Sequence, residues 1–164
     1  MRNLVYAFLI VVILYLTSVI YRDHVTPILI DFPVEELETS YQKEVNLYLV
    51  LFFSMKNCPP CVQQVVNCLN EVPENVQVIG IINEEELNFV DEIRAITGAK
   101  FPIKNLKKWK KYRPNYAPTL YGIGPDGKVY FILACTALEE INLRAYIDEF
   151  MRKVDYLLRK PGLK

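Results

Sequence analysis

Residues 47–53 (Leu-Tyr-Leu-Val-Leu-Phe-Phe) form an unbroken apolar run, and Cys58-Pro59-Pro60-Cys61 follows shortly after it. A strand with one face in water alternates apolar and polar residues, whereas a continuous run reads as a strand buried on both faces. Such a strand needs neighbours on both edges and a covering layer on each side, which points to a layered α/β domain. Beyond the first cysteine, apolar residues recur at Cys61, Val62, Val65, Val66, Cys68 and Leu69, which is helical spacing. The CxxC therefore lies at a strand-to-helix turn.

The rest of the chain continues the alternation. Residues 76–82 read as a second buried strand, and 84–97 as a helix with an acidic first turn, closed by Gly98. Phe101-Pro102-Ile103 is a short extended piece. Residues 104–113 are basic and read as a helix or loop. Two strands, 118–122 and 128–134, flank a turn at Gly124-Pro125-Asp126-Gly127, and an amphipathic helix spans 138–158. Strands alternating with helices, then a hairpin, predict a mixed sheet with a parallel core and helices on its faces. Upstream, Pro27 and Pro33 bracket a candidate edge strand at Ile28-Leu29-Ile30, and 34–45 reads as a helix or irregular turn.

Residues 4–21 are apolar apart from Thr17 and Ser18, with Arg2 before and Arg22, Asp23 and His24 after. That length just reaches what a bilayer span needs, roughly 20 residues. A buried core helix would carry a polar stripe at helical spacing, and none is present. A cleaved signal peptide would offer a small-x-small site, and Leu16-Thr17-Ser18 is a poor one. The reading is thus an N-terminal anchor or signal segment at 1–23, a juxtamembrane segment at 24–44 and a domain at 45–164. The anchor is taken as uncleaved and single-pass, with the domain on the extracytoplasmic side of the cell membrane.

Composition narrows the function. Lys+Arg and Asp+Glu are both 19, so zero net charge gives no global case for nucleic acid. Four Cys and one His are too few for a disulfide scaffold or a Cys/His metal cluster, so neither metal nor cofactor is expected. A CxxC at the start of a helix suits thiol–disulfide exchange. Cys58 is the candidate nucleophile, its thiolate favoured by the helix N-terminus, with a further contribution from Lys56 if that side chain turns towards it. Cys61, one turn on, is the resolving thiol and is expected to be the more buried. Pro59 and Pro60 suit a first helical turn but remove two N–H donors. The blander alternatives are a structural disulfide or half of a metal site. Cys68 and Cys135 read as buried thiols acting as small apolar residues; a disulfide between them is the alternative. The cluster Lys104, Lys107, Lys108, Lys110, Lys111 and Arg113 reads as a solvated face, with an acidic-partner or lipid docking patch as the functional alternative.

The run LYLVLFF, the CPPC motif, Ala117-Pro118-Thr119 entering the hairpin, and the Gly-Pro-Asp-Gly-Lys turn together resemble the thioredoxin superfamily over residues 45–152. Phe101-Pro102-Ile103, Tyr116 and Asp126-Gly127-Lys128 are similar to its membrane-anchored, extracytoplasmic TlpA-like branch. The resemblance implies a three-layer thioredoxin-like fold with a cis Pro118, whose loop (Ala117, Pro118, Thr119) presents backbone to an extended substrate. It implies a redox pair acting on disulfides of a cysteine-containing client protein, recharged by a membrane electron donor. Oxidation of exported proteins, or non-catalytic binding, are the alternatives. The chain departs from the pattern in three places. Met55-Lys56-Asn57 stands where the family has a Trp before the first Cys. Phe52 occupies the place of the buried Asp of thioredoxins proper, and Gln64 the place of the Glu in the branch that reduces apocytochromes. A proton-transfer role therefore has no evident owner in the sequence.

Overall fold

A computed structural model describes residue 6 and residues 8–16, 28–37, 47–56, 58–107, 109–124, 126–135 and 140–159. His24, Pro27, Asn57, Lys108, Pro125, the segment 38–46 and much of the 4–21 stretch lie outside these. Six strands form one sheet: β1 Ile28–Asp31, β2 Leu47–Phe52, β3 Val76–Ile81, β4 Ile103–Lys104, β5 Thr119–Ile123 and β6 Lys128–Ala134, in the spatial order β1-β6-β5-β2-β3-β4. Among the described residues, besides a helical stretch at 8–16, these α-helices accompany them: α1 Pro59–Leu69, α2 Val90–Thr97, α3 Trp109–Tyr112 and α4 Glu140–Arg159.

The apolar run becomes the interior strand β2. It pairs in parallel with β3, Leu47 opposite Val76 through Phe52 opposite Ile81, and antiparallel with β5, Phe52 opposite Thr119. All six of its residues are buried. Because side chains alternate along a strand, β2 supplies both faces of the core. Leu47, Leu49 and Leu51 pack with Val62, Val65 and Val66 of α1 and with Leu143, Ile147 and Phe150 of α4. Tyr48, Val50 and Phe52 pack on the other face with Phe32, Leu37, Leu106, Tyr112 and Tyr121.

That second face is held by hydrogen bonds as well as by packing. Tyr121 donates to the Tyr112 carbonyl at 3.1 Å, and Tyr112 donates to the Asp31 carbonyl at 3.0 Å. Lys104 Nζ donates to the Leu37 carbonyl at 3.2 Å, and the Lys107 amide donates to Glu36 at 2.9 Å. Part of the basic segment 104–113 thus fastens the segment 31–37 onto the sheet, while Lys107, Lys111 and Arg113 stay exposed. The strand and turn at 28–37 join this sheet and core directly, β1 pairing antiparallel with β6.

Other elements depart in detail from the sequence reading. The helix expected over 84–97 is a 3-10 turn, Glu84–Phe89, followed by α2, which ends at Gly98 with φ +73° as its position predicts. Residues 8–16 are helical and almost entirely exposed; among the described residues no helix is long and apolar enough to cross a membrane.

One glycine is fixed by packing. Gly122 of β5 lies opposite Phe131 of β6, and a Cβ there would meet the Phe131 ring at 2.1 Å. That ring stacks edge-on against Phe150 of α4, with centroids 4.6 Å apart, so it has little room to retreat. Gly122→Ala should destabilise the domain by about 1–3 kcal/mol, read as a lower midpoint in urea unfolding with an unchanged slope.

Candidate redox site

The geometry of the sheet gathers the site at one end. β2 and β3 run in parallel and end side by side, and β5 begins opposite the last residue of β2. The loop after β2, the turn after β3 and the loop before β5 therefore share that end, the place where open α/β sheets carry their functional loops.

Cys58 is the N-cap residue of α1, and Pro59 and Pro60 fill its first two positions. Proline is tolerated there because those amides have no partner inside the helix. The Cys58 carbonyl accepts from the Val62 amide at 3.0 Å, so the first helical turn closes on it. Cys61 carries the first N–H of the helix. The two cysteines are joined by a disulfide with Cα atoms 5.3 Å apart, and both are partly exposed. Gln64 lies one turn further along α1, also partly exposed.

The Ala117–Pro118 peptide bond is cis, in accord with the resemblance. Pro118 and Thr119 are buried and Ala117 partly so. The Pro118 carbonyl accepts from the Cys135 amide at 2.8 Å, and Thr119 Oγ1 donates to the Tyr116 carbonyl at 2.6 Å, so the loop is pinned on both sides of the proline. Tyr116 itself is 70% exposed.

Lys56 is committed elsewhere: its Nζ lies 3.0 Å from Glu85 Oε2. That hydrogen bond and the accompanying charge raise its pKa above the usual lysine value.

The residue the sequence reading passes over is Glu86. It is only 5% exposed. Its Oε1 accepts from Ser54 Oγ and from the Met55 amide, each at 3.0 Å, while Oε2 is buried with no hydrogen-bond partner among the described residues. Leaving such an atom unmatched costs about 1–3 kcal/mol or more. The signal was present: Asn83-x-x-Glu86 has capping-box spacing. Asn83 does cap the turn, its Oδ1 accepting from the Glu86 amide at 3.0 Å. The Glu86 carboxylate, however, reaches across to the loop that leads to Cys58.

Cys68 and Cys135 are reduced, buried and part of one core cluster. Burial pushes the Cys135 thiol up to about 12, with Cys68 adding to the rise.

No protein-family model matches the chain, and no curated protein matches it. Solved structures do. A thioredoxin-like protein from Parabacteroides distasonis is 15% identical, with TM-score 0.56 over 76% of this chain and 96% of that one. A thiol:disulfide interchange protein of the thioredoxin family from Chlorobium tepidum is 18% identical, with TM-score 0.52 over 66% and 81%. A secreted Mycobacterium tuberculosis disulfide oxidoreductase, described as homologous to Escherichia coli DsbE, is 15% identical, with TM-score 0.52 over 63% and 81%. The fold is thioredoxin-like.

A thiol reacts as thiolate, and a group with pKa near 12 is ionised in on the order of 1 in 10,000 molecules at about pH 8. In the fully reduced native protein, iodoacetamide should modify Cys58 first. It should reach Cys68 and Cys135 only after denaturant is added, as read by peptide mass mapping.

Proposed function

We propose that this chain is a thiol–disulfide oxidoreductase with Cys58 and Cys61 as its redox pair, reducing disulfides in cysteine-containing client proteins. The observation that carries the reading is a CxxC disulfide at a helix N-cap, at the same end of the sheet as a cis-proline loop. In the cycle, the Cys58 thiolate attacks a client sulfur and expels the other client sulfur as a thiolate. Cys61 then attacks Cys58 and releases the client dithiol. Two electrons and two protons pass to the client, and the pair is left as the disulfide. A dithiol donor at the membrane restores it. Ala117, Pro118 and Thr119 would bind the client backbone, with the exposed Tyr116 beside them. Pro59, Pro60 and Gln64 would modulate the pair. The proposed organisation is an N-terminal anchor at 1–23 followed by the redox domain, whose sheet and core take in 28–37, held at the cell membrane on its extracytoplasmic side.

The test uses the full chain in detergent. Reduction of insulin driven by dithiothreitol should fall to background in Cys58→Ser, and Cys61→Ser should accumulate mixed disulfides. A midpoint potential near roughly −270 mV supports a reductase, whereas one near roughly −120 mV reverses the direction. A pair that never re-forms its disulfide makes the chain a binding module instead.

The anchor has its own assay. After alkaline carbonate extraction of membranes, the intact chain should stay in the pellet, whereas a chain lacking residues 1–23 should appear in the supernatant. Recovery of the intact chain in the supernatant would remove the anchor from the proposal.

A further inference from the structure

Neither Phe52 nor Gln64 can supply a negative charge near the cysteines, yet the structure buries one carboxylate against the loop that presents them. Glu86 holds that loop at two points, through Ser54 Oγ and the Met55 amide. Ser54 Oγ also accepts from the Lys56 amide at 3.2 Å, so the contact extends through the whole turn 54–56. Phe53, next along the chain, is tied to β3 by its amide donating to the Ile81 carbonyl at 3.1 Å. The approach to Cys58 is therefore anchored to the end of β3 from Phe53 onward.

Met55 lies three residues before Cys58, so chain geometry limits their Cα separation to about 11 Å, and the turn at 55–56 shortens it. Of the other described ionisable side chains around this end, Lys56 and Glu85 neutralise each other in an exposed pair, and Glu84 and Tyr116 are exposed to water, which screens them. Lys104, half-buried beside Ile81, turns its Nζ to the Leu37 carbonyl. Among these described side chains Glu86 is the one fully buried, so its field is the least screened.

From these contacts we propose that Glu86 is a positioning residue of the redox pair: it holds the 54–56 turn and places a buried carboxylate against the loop that leads to Cys58. The inference rests on the oxidoreductase reading above. A negative charge at that place disfavours the Cys58 thiolate, hence the reduced form of the pair, and so makes the protein more reducing. Glu86 thereby supplies, from a different strand end, a buried carboxylate that Phe52 and Gln64 do not.

Glu86→Gln separates charge from structure, because the amide oxygen can still accept from Ser54 and Met55. Two unit charges about 10 Å apart, at effective dielectrics between those of bulk water and a protein surface, alter an equilibrium by about two- to seventeenfold. In the full-length variant in detergent, the Cys58 titration followed by thiolate absorbance should move to lower pH. The dithiol–disulfide equilibrium constant against glutathione should shift about threefold towards a more oxidising pair, about 14 mV at 29.6 mV per tenfold. Glu84→Gln, the exposed control, should move neither. Titration and equilibrium curves of Glu86→Gln that superpose on the wild type overturn the inference while leaving the oxidoreductase reading intact. A wild-type pair that forms no reversible disulfide overturns both. Should Glu86→Gln fail to fold, Ser54→Ala removes one donor to the same oxygen. A displaced Cys58 titration then supports the inference, and an unchanged one overturns it.

Discussion

The molecule depends on one strand being satisfied on every side. β2 is hydrogen-bonded to β3 on one edge and to β5 on the other, and its alternating side chains feed two separate core clusters. Burying six consecutive backbone units is tolerable only when each N–H and C=O has a partner, and the two ladders provide them. Once β2 is fixed, the end of the sheet is fixed too. The three segments that make the site, the turn after β3, the CxxC loop and the cis-proline loop, all leave from residues paired at that end. The CxxC loop and the cis-proline loop thus share one end of the sheet because the ladder registers place them there.

How much of this could be read in advance follows from the kind of signal each element carries. The runs 47–53 and 76–82 are long, continuous and bounded, so β2 and β3 were legible almost to the residue. Helix α1 was legible because its prolines mark the start and its apolar residues keep a clear period. The span from 84 to 97 was less so. Its acidic opening and its glycine stop were both visible, but not the 3-10 turn Glu84–Phe89, nor that Glu86 within it bonds Ser54 and Met55, residues some thirty positions away. No local pattern carries that. The edge strand at 28–30 was legible between its prolines, but the packing of 32–37 was hidden for the same reason. Phe32 and Leu37 fill one face of the core through Tyr112 and Lys104, partners far along the chain.

The site shows the same division. Cys58 and Cys61 announce themselves by spacing. Ala117-Pro118-Thr119 was found by resemblance, and the cis bond is now seen in the structure. The basic segment 104–113 looked like one surface feature, yet Lys104 turns to a main-chain carbonyl while Lys107, Lys111 and Arg113 face solvent. Composition alone cannot distinguish a cation that packs from one that displays itself.

The two outermost strands have a consequence of their own. β4 is two residues long and β1 four, with an irregular register against β6. An exposed strand edge is a template on which another extended chain can add itself, and long flat edges invite uncontrolled polymerisation. At the β4 margin two residues leave little for another extended chain to pair with, so on that side the sheet is a poor template for aggregation.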